Sequence, residues 1–182
     1  MNDQVRQLEE QILKLKEELS KARAAAVPAP VDDHEFVGPE GALKLSDLFG
    51  ELDDLLLIHN MGKGCRYCTL WADGFSGYLR HLEERAAFVV VSPDDPATQR
   101  ELATARGWRF HTVQDATRAF TSAMGMWTEK DGWWPGVSGF HRNPDGSIVR
   151  TGVTSFGPGD DFCLPWPMFD MLAGGAKGWE PH

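Results

Sequence analysis

The stretch LLLIHNMGKGCRYC, residues 55–68, constrains the fold of this chain more than any other. Residues 55–59 form a near-continuous apolar run, the pattern of a strand buried on both faces. A loop with two glycines follows, then two cysteines three residues apart, then a segment that predicts a helix to about residue 85. Residues 87–92 (AFVVVS) predict a second buried strand. Pro93 and Pro96 open another helix that ends near Gly107, because proline suits a first turn and glycine suits a helix end. Residues 108–113 alternate like a short strand, and Asp115 begins a further helix through Met124. Residues 137–142 and 148–154 flank the turn NPDG and predict an antiparallel hairpin. An earlier hairpin is predicted around residues 36–43, followed by a short helical turn at 45–49. The last segment, 160–172, reads as a helix interrupted by Pro165 and Pro167. Early strands that alternate with helices need a parallel sheet with crossovers. The late hairpin adds an antiparallel edge. The expected fold class is α/β with a mixed central sheet.

The first 26 residues read as one helix. Val5, Leu8, Ile12, Leu15, Leu19 and Ala22 step alternately by three and four, which is a heptad seam. Three heptads are marginal for a free-standing coiled coil. Two readings follow: two copies pair as a homodimer through residues 5–22, or the helix lies on its own domain. In a parallel pair Glu18 of one chain meets Arg23 of the other. Pro28 and Pro30 end the helix, and AAAVPAP reads as a short linker. The expected division is an N-terminal amphipathic helix, 1–27, and one domain, 28–182.

Net charge is −9 with no long basic run. That argues against nucleic acid, which needs a positive face, and against anionic membranes. The N-terminus is polar, without the apolar segment of a signal peptide. No stretch approaches the ~18 apolar residues of a spanning helix. The expected compartment is the cytoplasm. Three cysteines are too few for a disulfide-stapled secreted domain of this size.

The chemistry rests on GCRYC. A helix N-terminus presents unpaired amides and a positive partial charge. A thiolate there is stabilised and its pKa falls. Cys65 is the expected nucleophile. Cys68, one turn on, is the expected resolving thiol that attacks a mixed disulfide. Lys63 and Arg66 add positive charge near Cys65, and Gly62 and Gly64 permit a tight entry into the helix. Tyr67 offers an aromatic surface beside the motif or packs on the helix. Two other readings stand beside this one. The cysteines are buried hydrophobes, or they are half of a zinc site, which normally needs four ligands. Cys163, in FCLPWP, reads as a buried apolar cysteine. Trp133 and Trp134 sit in a Gly/Pro-rich loop, where they line a groove or join the core. Thiol–disulfide exchange calls for no cofactor.

Several segments together resemble a known family. They are FVGPEG before LSDLF, LLLIHNMGKGCRYCTLWADGF, AFVVVSPDDP, RGWRF, PGVSGFHRNPDG and DDFCLPWPMFDML. The chain is similar, over nearly its whole length, to a bacterial thioredoxin-like family of unknown function described as predicted dithiol–disulfide isomerases. The resemblance implies a thioredoxin-like fold and exchange with a protein or small-molecule thiol or disulfide. The middle and C-terminal parts also resemble the peroxiredoxin and thiol-reductase branch of that fold. Peroxiredoxins carry Pro-x-x-x-Thr-x-x-Cys and a distant arginine. Here those positions hold Ile58 and Gly62 counted from Cys65, or Met61 and Cys65 counted from Cys68, and Val137 replaces the arginine. A thiol peroxidase is therefore the alternative activity, and a non-catalytic protein with structural or metal-binding cysteines is the alternative class. The resemblance also implies a cis-proline facing the cysteines, for which Pro135 is the candidate. Tyr67, Trp134 and Pro135 would then form a substrate groove.

Overall fold

A computed structural model describes residues 2–182. The chain runs α1 (Asp3–Ala24), β1 (Ala29–Val31), β2 (Glu35–Gly38), β3 (Gly41–Lys44), a 3-10 turn (Leu45–Phe49) and β4 (Asp54–His59). It continues through α2 (Arg66–Glu83), β5 (Ala87–Ser92), α3 (Pro96–Arg106), β6 (His111–Gln114) and α4 (Ala119–Ala123). It closes with β7 (Trp127–Thr128), β8 (Gly132–Trp133), β9 (Gly136–Arg142), β10 (Ile148–Ser155) and α5 (Pro165–Phe169).

The apolar run at 55–59 lies within the sheet as β4, because only a strand flanked on both edges can pair every backbone group of such a segment. The sheet order is β1-β10-β9-β4-β5-β6-β2-β3. β4, β5 and β6 are parallel, and β9 lies antiparallel on the other side of β4. This is the mixed α/β sheet expected from the element order.

Alternation along β4 divides the core. Leu55 and Leu57 point to one face, where Phe36, Phe49, Phe120 and Phe140 are almost wholly buried. Ile58 points to the other, beneath Trp71, Ala72, Phe75 and Leu79 of α2, with Phe88, Trp108 and Phe156. Each fully buried side chain of this size contributes ~1.5–3 kcal/mol, so α2 is anchored by its apolar stripe with its N-terminus at the C-terminal end of β4.

Four expectations change. The strand expected at 108–113 starts only at His111, since Trp108 and Phe110 leave the ladder to pack under α2. The helix expected from Asp115 is confined to α4, because Arg118 has φ 63° and the Asp115 carboxylate binds the Thr121 amide and hydroxyl. The final helix is one turn and a little more, α5, with Pro165 at its start and Pro167 within its first turn. The stretch read as a linker ends in the first two residues of β1, which pairs antiparallel with β10. β1 lies at the sheet edge, where a proline such as Pro30 is tolerated.

α1 is capped by Asn2, whose side chain accepts the Gln4 amide at 2.9 Å. None of its residues is buried. Lys16 forms an ion pair with Asp161 on the body.

Candidate functional site

The end of β4 delivers the chain into a five-residue loop, residues 60–64, and then into α2. Cys65 is the N-cap of α2, and Cys68 lies in its first turn. Their Cα atoms are 5.2 Å apart and their sulfurs are joined as a disulfide. The Cys68 amide donates to Cys65 Sγ at 3.0 Å, so this sulfur takes the place a Ser or Asp oxygen usually holds at a helix start. The Met61 amide donates to Cys68 Sγ at 3.5 Å. Each sulfur thus faces one backbone N–H, the kind of donor that stabilises a thiolate. Cys65 is partly exposed and Cys68 is buried, which gives the two thiols unequal access to a partner.

The loop is held by side chains that the sequence pattern did not single out. Asn60 accepts the Gly62 amide at 2.8 Å, and Asp94 accepts the Lys63 amide at 2.6 Å. Gly62 has φ 95°, and a Cβ there would meet the Asp94 carboxylate and Pro93 at 3.1–3.2 Å. Both the backbone angle and the close approach require glycine at this position. Asp94 follows β5, so the loop between β5 and α3 buttresses the loop that presents Cys65.

The two cations expected beside the motif are placed differently from each other. Lys63 is exposed at the loop. Arg66 turns its guanidinium to Glu180, 3.0 Å away near the C-terminus. Tyr67 stacks on Trp166, with ring centroids 5.7 Å apart and planes 18° from parallel. Trp166 in turn packs edge-on against Trp179. The segment from α5 to the C-terminus therefore covers the outward side of the first turn of α2. Nothing near Arg66 or Tyr67 in the chain signals these partners, which lie about a hundred residues away.

β4 pairs His59 with Gly136 of β9, so Trp134 and Pro135 leave the sheet at the same end as the cysteine loop. Trp134 is 47% exposed. Pro135 does not carry the expected cis bond: among the described residues no peptide bond is cis. The segment is held by its neighbours, with the Trp134 amide on the Met126 carbonyl and the Pro135 carbonyl receiving the Phe156 amide, each at 2.8 Å.

His59 precedes this loop and is 2% exposed. Its Nε2 lies 2.9 Å from the Ser138 hydroxyl, its ring stacks on Phe120, and its Nδ1 has no protein partner. Burial, with the Arg150 charge as a second cause, lowers its pKa to about 3, so the ring is neutral near pH 7. Cys163 is buried against the α2 face of the sheet. Burial first, and the Asp160 carboxylate second, raise its pKa to about 11. Among the described residues no three His, Cys, Asp or Glu side chains are grouped as metal ligands. Among the described residues no helix is long and apolar enough to cross a membrane.

A search of curated proteins finds no match. Solved structures do match. A peroxidoxin BcpB from Mycobacterium tuberculosis superposes with a TM-score of 0.56 at 22% identity, covering 70% of this chain and 84% of that one. A PrxQ variant from Xylella fastidiosa gives 0.59 at 16% identity, covering 71% and 85%. Reduced Prx3 from Vibrio vulnificus, in complex with hydrogen peroxide, gives 0.57 at 16% identity, covering 74% and 90%. At these identities the likeness is one of fold, and it assigns the thioredoxin-like architecture. The sequence pattern of a family described as a bacterial protein of unknown function, DUF899, matches residues 3–180, and the chain belongs to that thioredoxin-like family.

Proposed function

We propose that this protein is a thiol–disulfide oxidoreductase in which Cys65 is the nucleophile and Cys68 the resolving thiol. The observation that supports this reading most is the placement of the pair. Cys65 caps α2 with the Cys68 amide on its sulfur, and it is the more exposed of the two. In the reduced protein the Cys65 thiolate attacks one sulfur of a partner disulfide. An S–S bond forms between Cys65 and that sulfur, and the partner's other sulfur leaves as a thiolate. Cys68 then loses its proton and attacks Cys65 Sγ, which releases the first sulfur. The partner disulfide is reduced to two thiols, and the Cys65–Cys68 dithiol is oxidised to a disulfide. The same steps in reverse oxidise a partner dithiol.

The partner is a protein or small molecule bearing a thiol or disulfide, and the chemistry suits a reducing compartment such as the cytoplasm. Lys63 and the helix N-terminus favour the Cys65 thiolate. Trp134, exposed and leaving the sheet at the same end as the cysteine loop, is read as an aromatic surface for the partner. The peroxide reading is weaker here, since Gly62 and Ile58 stand where a peroxidatic cysteine would need threonine and proline.

The test is a redox titration against mixtures of reduced and oxidised dithiothreitol, with each cysteine's state read by mass spectrometry. A single two-electron transition confined to Cys65 and Cys68 supports the reading. Turnover of hydrogen peroxide without a dithiol–disulfide transition at this pair favours the peroxidase. A pair that neither oxidises nor exchanges, in a protein that turns over no hydrogen peroxide, rules out both.

A further inference from the structure

Beyond the redox site, we propose that α1 is a dimerisation element whose apolar seam pairs in parallel with α1 of a second copy of this chain. α1 spans 22 residues and buries none of them. Its seam leaves Val5 44%, Leu8 50%, Ile12 51%, Leu15 63% and Leu19 45% exposed. Five large apolar side chains in one line form a patch that soluble monomers seldom leave open. Most helices in proteins also draw their stability from packing an amphipathic face, and α1 buries no residue of its own. The choice left by the sequence, between a helix docked on its own domain and a helix paired with another, is narrowed by these exposures.

The body holds α1 without covering the seam. Lys16 pairs with Asp161, and Arg23, one heptad further on, lies at the rim of an apolar groove of about 520 Å³ that also includes Asp161. Lys16 and Arg23 therefore mark the line along the edge of the seam that borders the body, Lys16 paired to Asp161 and Arg23 lining the groove. At 100° per residue, that line is rotated by roughly 70° from the centre of the seam. The seam stays open beside it.

The seam itself specifies the occupant. One core position holds Val5, Ile12 and Leu19, and the other holds Leu8, Leu15 and Ala22. β-Branched Val5 and Ile12 at the first, with Leu8 and Leu15 at the second, favour two parallel strands, and Leu19 and Ala22 continue the seam without adding to that preference. In that register Glu18 of each copy faces Arg23 of the other, while Gln11 faces Lys16 and Gln4 faces Glu9. No like charges meet. An identical helix thus satisfies both the packing and the charges of this one.

The test uses the full chain. Light scattering is expected to give twice the 20.2 kDa chain mass. The double variant Leu8→Glu/Leu15→Glu is expected to halve that mass and to leave thermal unfolding of the body unchanged. Leu19→Cys is expected to form an interchain disulfide between the two copies of position 19, identified by peptide mass spectrometry. In an antiparallel pair centred on the seam, those positions lie ~16 Å apart and do not link. A monomer at tens of micromolar overturns the proposal, including one that binds a different protein through the seam. So does a dimer that survives the double glutamate variant, or a dimer that gives no link at position 19. Loss of redox activity at Cys65 would leave all of these outcomes unchanged.

Discussion

The backbone amide of Cys68 points at the sulfur of Cys65, 3.0 Å away. The second cysteine thus supplies the hydrogen bond that caps the helix with the first. A hydroxyl performs the same capping role, so Cys65→Ser should keep the fold while removing the nucleophile. The expected result is a helix signal and melting temperature close to the parent, with exchange activity lost. Cys68→Ser should instead accumulate a mixed disulfide at Cys65, because the resolving attack is missing. Mass spectrometry after incubation with oxidised glutathione checks both. Rapid exchange by Cys65→Ser would place the chemistry elsewhere.

Arg66 and Glu180 share an ion pair at the surface, with both side chains about half exposed. Such pairs are worth only ~0–1 kcal/mol, so the effect on the thiol is small and its direction is the informative part. Glu180→Gln frees the guanidinium and removes an anion from the neighbourhood of Cys65. The alkylation rate of Cys65 near pH 7 is expected to rise by up to a few-fold. Arg66→Met is expected to lower it. A fall for Glu180→Gln together with a rise for Arg66→Met would show that the ion pair does not tune this sulfur.

His59 gives a pH signature in stability. It stays neutral in the folded protein down to about pH 3, whereas the unfolded chain takes up a proton near 6.5. Between those values the unfolded state binds more protons, so this group makes stability fall as pH drops below 6.5. The slope approaches ~1.4 kcal/mol per pH unit. Asp54, whose pKa is lowered chiefly by its hydrogen bond with Arg85, acts only below its ordinary value of 3.8. Urea unfolding from pH 4.5 to 7, taken as the difference between the parent and a His59 variant, therefore reports this histidine. His59→Gln should flatten the slope in that range, and an unchanged slope would contradict the account.

Cys163 is 3% exposed, and its thiol is pushed up to about 11. Cys163→Ala should leave exchange within a few-fold of the parent and cost ~1–2 kcal/mol of stability through lost packing. Stopped exchange assays and urea melts measure the two. A loss of exchange as large as that of Cys65→Ser would make Cys163 a redox partner.

What the chain reveals locally and what it hides can be traced to particular residues. β4, β5 and the β9–β10 hairpin are legible because continuous apolar runs and the NPDG turn encode them within a few residues. The cysteines are legible because their spacing and the strand before them fix their place at a helix start. β1 is not, since three residues including Pro30 acquire their strand character only by pairing with β10. α4 is shorter than its pattern suggests because Asp115 prefers the Thr121 amide to continuing a helix. The surroundings of the site are hidden for the same reason: Asp94, Trp166 and Glu180 reach the cysteine helix through the fold, from 26 to 115 residues away from Cys68 or Cys65 in the chain.

The most direct measurement of the central claim is the alkylation rate of each cysteine in the reduced protein as a function of pH. The account predicts that Cys65 reacts first, with a half-point below the ~8.5 of a free thiol, while buried Cys68 and Cys163 lag behind. A half-point for Cys65 at or above that of a free thiol, or equal rates for Cys65 and Cys68, would contradict it.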